Sequence, residues 1–266
     1  MKMMTLNLNT YQEENQREKF NQIAKKIVDE DLDVICFCEA AQTFMSSRVD
    51  EYVRADNAVK LICDEANRLL GKKVYNFVWD LSHYGFKIYE EGIALMSKHP
   101  MTNVATQYVS HTHDIFTFKS RKVIKATIDY QGKSIDVYSC QLGWDDDEYE
   151  PFVEQFKRLD EWIQSESKDH MIILAGDFSN DVATASYQQI ISAGYSDQYV
   201  LGKPDGLHDE TFIYPTGFDA SNVNKSLRLD YIFAKSLDFK VKSAKRLFVP
   251  PEKVSDHIAV MVEWDS

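Results

Sequence analysis

Several short polar side chains stand where apolar runs stop, and their types outline one kind of chemistry. Asn7 ends the first apolar run, Glu39 follows DVICFC directly, Asp177 follows MIILAG, Asp230 opens DYIFA, and Asp256-His257 precedes IAVMVEW. One such residue says little, because a polar group after a strand is commonly just the start of a loop. Repetition says more, since several strands ending this way on one edge of a sheet would bring their side chains to a single site. Carboxylates, an amide and an imidazole, with no cysteine ligands or paired histidines, suit a hard divalent cation, Mg²⁺ or Mn²⁺. Such an ion would neutralise a phosphate and orient the attack of water on phosphorus.

Other constellations are weaker. His111 and His113 are two apart and His83 lies elsewhere, so no pair has the i, i+4 spacing of a zinc helix, and all three read as surface histidines. The chain has no phosphate-binding glycine loop, no G-x-S-x-G elbow and no C-x-x-C. Nucleoside-triphosphate, serine-hydrolase and thioredoxin chemistry are thereby set aside.

The elements that would position these residues follow from periodicity. Residues 2–8 alternate as a short strand, and Phe20, Ile23, Ala24 and Ile27 recur at helical spacing behind it. DVICFC is too short for a helix and fits a strand buried on both faces. A second helix carries Val59, Ile62, Cys63, Ala66, Leu69 and Leu70 as its buried stripe. The middle third, VYNFVWD, GIALMSK, ATQYVS, KVIKATIDY and SIDVYSCQL, is β-rich and antiparallel in character, with Gln131-Gly132 as a hairpin turn. A third helix starts near Pro151, favoured by Asp147, Glu148 and Glu150 at its positive end. MIILAGD is a buried strand, ATASYQQIISAG a short helix closed by Gly194, and LDYIFA and IAVMVEW are the last strands. Residues 204–225 form the longest irregular stretch and are expected to be mobile. This alternation around a β-rich centre predicts two packed sheets with helices outside, in one domain spanning 1–266.

Composition narrows the partners. With 42 acidic against 30 basic side chains the formal charge is −12, which argues against coating nucleic acid or an anionic membrane but leaves room for a local phosphate pocket. A chain of 266 residues, 44% apolar, buries enough surface to fold without a staple. MKMMTLNLNT has no secretory core, and no apolar run approaches the roughly 18–20 residues of a membrane span. Cys36, Cys38, Cys63 and Cys140 sit in apolar segments and read as reduced thiols of a cytoplasmic protein.

LNLN with Asn7, ICFCEA with Glu39, YEEGIALMSK with Tyr89 and Glu91, SRKV with Arg121, ILAGDFSND with Asp177, LRLDYIF with Asp230 and VSDHIAV with Asp256 and His257 resemble, in order and spacing, the motifs of the endonuclease/exonuclease/phosphatase superfamily. The resemblance spans nearly the whole chain. It implies a four-layer α/β sandwich of two mixed sheets and metal-dependent cleavage of phosphate esters. It also implies Glu39 as principal metal ligand, with Asn7 and Asp256 close to the ion, and His257 oriented by Asp230. Asp177 would position or activate the attacking water, Arg121 would hold phosphate oxygens, and Tyr89 would add a hydrogen bond.

Two positions depart from the superfamily pattern. Gln141 stands where most members carry a histidine, and Ser179 where they carry the asparagine of GD-x-N. Gln141 keeps an amide that could reach a phosphate oxygen, which leaves the role of Glu91, expected to orient that imidazole, open. Asn180 is adjacent to Ser179 but would point the other way on extended backbone.

EENQREK, FVWDLSHYGFKIYEEGIA and YSCQLGWDDDEYEPF further resemble the maltose 6'-phosphate phosphatase subgroup. That likeness implies a phosphomonoesterase acting on a small phosphorylated disaccharide, with Arg121, Trp144 and His83 binding substrate. The acidic loop 145–150 would repel a polyanion and leave a neutral sugar unhindered. Trp144, Trp79, Tyr84 and Phe86 offer flat faces for a sugar ring, or serve as packing aromatics. The alternatives are a phosphodiesterase or nuclease of the same superfamily, and a weakened protein that binds a sugar phosphate without turnover.

Overall fold

The computed structural model describes residues 1–167, 170–212 and 227–265. From the N-terminus these comprise β1 (Lys2–Asn7), α1 (Gln16–Asp29), β2 (Val34–Thr43), α2 (Ala58–Leu70), β3 (Asn76–Gly85), β4 (Tyr89–Ser97), β5 (Met101–Tyr108), β6 (Lys122–Tyr130) and β7 (Lys133–Gln141). There follow α3 (Phe152–Glu166), β8 (Met171–Asp177), α4 (Ala185–Ser192), β9 (Ser196–Asp197), α5 (Gln198–Gly202), β10 (Asp230–Lys235), β11 (Val241–Leu247) and β12 (Ala259–Trp264). Within the described residues the strands make two six-stranded sheets, ordered β11-β12-β1-β2-β4-β3 and β5-β6-β7-β8-β10-β9. Each sheet is mixed, because β1 runs parallel to β2 and β7 parallel to β8 while the other pairings are antiparallel.

Three apolar cores make this a four-layer sandwich. Met3, Val34, Cys36, Ile93 and Leu95 of the first sheet meet Ile124, Val137, Ile173 and Ile232 of the second. The outer face of the first sheet is covered by Phe20, Ile23 and Ile27 of α1 and by Val59 and Ile62 of α2. That of the second is covered by Phe156, Leu159 and Ile163 of α3 and by Ile190 of α4. Each such side chain contributes about 1.5–3 kcal/mol by leaving water, so the strand ends rest on a rigid base. Among the described residues no helix is long and apolar enough to cross a membrane.

Local details refine the sequence reading. β1 does not alternate: five of its six residues are buried, because it lies mid-sheet with a core on each side. Leu69 is exposed rather than part of the α2 stripe, and the helix ends at Leu70, capped by the left-handed Gly71. Pro151 caps α3 instead of entering it. Gln131 and Gly132, both left-handed, do make the β6–β7 hairpin turn. The β-rich middle divides between the sheets, β3 and β4 in the first and β5–β7 in the second. All four cysteines are buried and free. Of the stretch 204–225, a short 3₁₀ turn at Pro204–Gly206 is present, and 213–225 lies outside the described residues.

Candidate active site

Register carries the polar residues to one edge. Gln141 pairs with Asp177 across the parallel β7–β8 ladder, and Asp177 pairs with Asp230 across β8–β10. Gly176 allows this close approach, since a Cβ there would lie 1.8 Å from the Cys140 carbonyl oxygen. On the facing sheet Asn7 ends β1, and Glu39 sits in a break of the β2–β4 register with a left-handed φ of 48°. A bulge of this kind re-aims a side chain, and a non-glycine residue held there signals a constrained position.

Glu39 is the point where the two sheets meet. Its Oε1 accepts from Asn7 Nδ2 and from Gln141 Nε2, each at 2.9 Å, and Asn7 Nδ2 also donates to Asp177 Oδ2 at 3.1 Å. Oε2 has no partner among the described residues. Burial, with Glu91 and Asp177 nearby, pushes the Glu39 carboxyl up to about 8, although the Asn7 hydrogen bond and His257 pull the other way.

Beside it, His257 Nδ1 lies 2.8 Å from Asp230 Oδ2, both groups being buried. Burial alone would lower the imidazole, but Asp230, Asp177 and Asp256 outweigh it and raise His257 to about 10. At neutral pH the ring is therefore a cation. Asp230 is itself pushed up by burial and pulled back by His257. Its backbone N–H donates to Thr211 Oγ1 at 2.9 Å, and its Oδ1 is buried without a partner among the described residues. Burial also raises Asp256, whose Oδ1 accepts from Ser255 Oγ.

From Glu39 a cleft of about 460 Å³ runs outward along β3, β4 and the 110–120 loop. On its floor His83 Nε2 is 3.1 Å from Glu91 Oε1. These two residues face each other across the β3–β4 ladder, at a second register break. Arg121 also lines the cleft, and its guanidinium has no carboxylate partner among the described residues.

The sequence profile described as the Endonuclease/Exonuclease/phosphatase family matches residues 4–257. The chain belongs to this family. A solved endonuclease/exonuclease/phosphatase family protein from Leptotrichia buccalis C-1013-b is 29% identical, with a TM-score of 0.87 and coverage of 100% of both chains. The mannosyl-6-phosphatase Bt3783 of Bacteroides thetaiotaomicron VPI-5482 shares the fold at 17% identity and TM-score 0.71, again over 100% of both chains. Truncated TDP2 of Caenorhabditis elegans shares it at 14% identity and TM-score 0.68, over 100% of this chain and 97% of that one. No curated protein matches the chain.

Within the endonuclease/exonuclease/phosphatase fold, the structure brings Asn7, Glu39, Gln141, Asp177, Asp230 and His257 together as the sequence motifs imply. It places others differently. Gln141 spends its amide on Glu39 rather than presenting it to a phosphate. Ser179, left-handed, turns its hydroxyl to the Leu142 carbonyl at 2.8 Å while its backbone N–H holds Asp177 Oδ1. Asn180 does not replace the missing asparagine, since its amide clasps Gly143, Phe178 and Asp145 backbone groups. Tyr89 stacks on Tyr11 at 5.3 Å. Trp79 is buried with its indole N–H on the Ala40 carbonyl, and Trp144 is exposed away from the cleft lining. His83 is a buried residue rather than a surface one, while His111 and His113 are exposed as read.

The sequence reading missed what Glu150 and the 110–120 loop do. Instead of merely favouring the α3 terminus, the buried Glu150 accepts the backbone N–H groups of His111 and Thr112 at 2.8 and 2.6 Å. Asp147 reaches the same loop through Lys119 at 3.0 Å. Only distances in space reveal this clamp, as the partners are nearly forty positions apart.

Proposed function

We propose that the protein is a metal-dependent phosphomonoesterase whose substrate is a small phosphorylated sugar such as maltose 6'-phosphate. The observation that carries the reading is the meeting of Asn7, Glu39, Gln141 and Asp177 beside the Asp230–His257 pair, at the mouth of a cleft lined by Arg121, whose guanidinium has no carboxylate partner among the described residues. A structural strand edge has no need for so many convergent polar groups.

The donor set fits a hard divalent cation, Mg²⁺ or Mn²⁺. Glu39 Oε2 has no partner among the described residues, and the crowding of Glu39 by Glu91 and Asp177 is the kind of negative charge that such an ion offsets. Glu39 would hold it, with Asn7 and Asp256 close by, and the ion would polarise a phosphate oxygen. Arg121 supplies a fixed cation for the remaining phosphate oxygens. Asp177, steadied by Asn7 and the Ser179 N–H, accepts the proton of the attacking water. His257, kept charged by Asp230, donates to the negative charge that builds on phosphorus oxygens. Gln141 acts through Glu39 by fixing one of its oxygens.

The charge of −12 disfavours a polyanionic nucleic acid as partner, and the free, buried thiols accord with a cytoplasmic setting. The test is phosphate release from maltose 6'-phosphate with Mg²⁺. Turnover that Glu39→Ala abolishes supports the reading. Release unchanged by that substitution overturns it, and background release restored only by Gln141→His with Ser179→Asn identifies a sugar-phosphate-binding protein instead.

A further inference from the structure

The cleft that leads away from Glu39 has an aromatic wall that the phosphate chemistry does not use. Phe86, Phe116 and Phe118 line it and are 72, 76 and 63% exposed. Three large apolar rings left in water around one cleft mark a surface that something covers.

Neither side of the wall is casual. Phe86 and Lys87 are the central residues of the turn joining β3 to β4, closed by the Ile88 N–H on the Gly85 carbonyl at 3.0 Å, and have φ of 47° and 61°, where Asn-Gly would be the unstrained choice. A bulky residue at positive φ is an outlier that survives where its position serves a purpose. Across the cleft the 110–120 loop is fixed before any ligand arrives. Ile115 accepts the Tyr84 backbone N–H at 2.6 Å, Asp114 accepts that of Phe116 at 2.9 Å, and Glu150 clamps the loop's beginning. Phe116 packs on Tyr84 at 5.3 Å, and Phe86 sits edge-on to Tyr89 at 6.5 Å. Phe86 and Phe116 are thus held in place, which reduces the ordering cost of binding.

Among the rings stand Glu91, Arg121 and the exposed Gln12, a set holding both donors and acceptors. Hydroxyl groups around a ring need both, whereas a second phosphate would meet the carboxylates of Glu39 and Glu91. We infer that this cleft is the leaving-group subsite and that it receives one face of a neutral sugar ring carrying a single phosphate. The inference rests on the phosphomonoesterase reading and adds the residues that choose the substrate.

Saturation-transfer NMR on the metal-free chain tests the subsite apart from turnover, with maltose and adenosine as neutral probes. Transfer to maltose ring protons is expected, lost in Phe116→Ala/Phe118→Ala and kept in Phe116→Tyr/Phe118→Tyr. The double change Phe86→Asn/Lys87→Gly should raise Tm while weakening that transfer, which separates binding from folding. Preferred transfer to adenosine, no transfer to maltose, or transfer indifferent to the phenylalanines would overturn the inference. In turnover, Phe116→Ala/Phe118→Ala should lower the kcat/KM ratio of maltose 6'-phosphate over glycerol phosphate by about tenfold. Maltose binding as expected but no phosphate released from either ester would remove the hydrolase reading and leave the sugar subsite standing. Phosphate release with an unchanged ratio would do the reverse.

Discussion

Two histidine–carboxylate pairs lie near Glu39, and they are built in opposite senses. In the pair that spans the two sheets, Asp230 at the start of β10 takes Nδ1 of His257, just before β12, and surrounding acids keep the ring charged. In the pair within the first sheet, Glu91 takes Nε2 of His83, and among the described residues it is Nδ1 that is left buried without a partner. The difference teaches that an imidazole beside a carboxylate does not define a role; the nitrogen left over does. On the proposed reading His257 has Nε2 to offer a reacting phosphate, whereas His83 steadies Glu91, whose charge bears directly on Glu39.

The comparison breaks most sharply at Asp230. Asp230→Asn should cost roughly 10²–10⁴ in kcat/KM, read by phosphate release. It should also move the alkaline limb of the pH profile down from near 10, because the pairing is what holds the proton on His257. The sign for stability follows: a raised imidazole stabilises the fold fully below its unfolded value of about 6.5, and this is lost as pH rises through about 10. Urea unfolding at pH 7 and above 10 should show that loss in the natural chain and much less of it in Asp230→Asn.

The other pair acts through the proton on Glu39. With Glu39 at about 8, binding a divalent ion must displace a proton at lower pH, so affinity should rise up to tenfold per pH unit to about 8 and then level. Calorimetry in buffers of different ionisation enthalpy measures that proton. Glu91→Gln removes a charge that raises the Glu39 carboxyl but that also attracts the ion, and a divalent ion loses more by this than a proton does. Mg²⁺ binding should therefore weaken several-fold at pH 8 and above, and less near pH 6.5, where easier loss of the Glu39 proton offsets part of the effect. The smallest effect belongs to Ser179→Ala, which loses the hydroxyl bond to Leu142 and a long one, 3.5 Å, to Asp177 Oδ1 but keeps the backbone N–H on that carboxylate. About 1 kcal/mol of unfolding free energy should go, with kcat and KM within about twofold.

What sequence could reveal here divides along the same line. Asn7, Asp177, Asp230 and His257 were legible because each adjoins a short apolar run too brief for a helix, so a place at a strand end follows from the sequence. The fold was legible for the same reason. The bulge at Glu39 was not, since a left-handed glutamate leaves no trace in periodicity. Nor was His83 facing Glu91, which depends on a register break inside a hairpin. Ser179 and Asn180 show the limit most plainly. Both have the right chemistry at the right place, yet the turn after β8 commits both side chains to backbone carbonyls.

Two amides on one carboxylate oxygen have a consequence for ion selectivity. Because Asn7 and Gln141 both occupy Oε1, Glu39 can offer an incoming ion only Oε2 without giving up a hydrogen bond. A one-oxygen grip suits Mg²⁺, which prefers six compact ligands at about 2.1 Å and keeps several waters. Ca²⁺ draws strength from longer, two-oxygen carboxylate contacts, and here it would have to displace both amides to gain one.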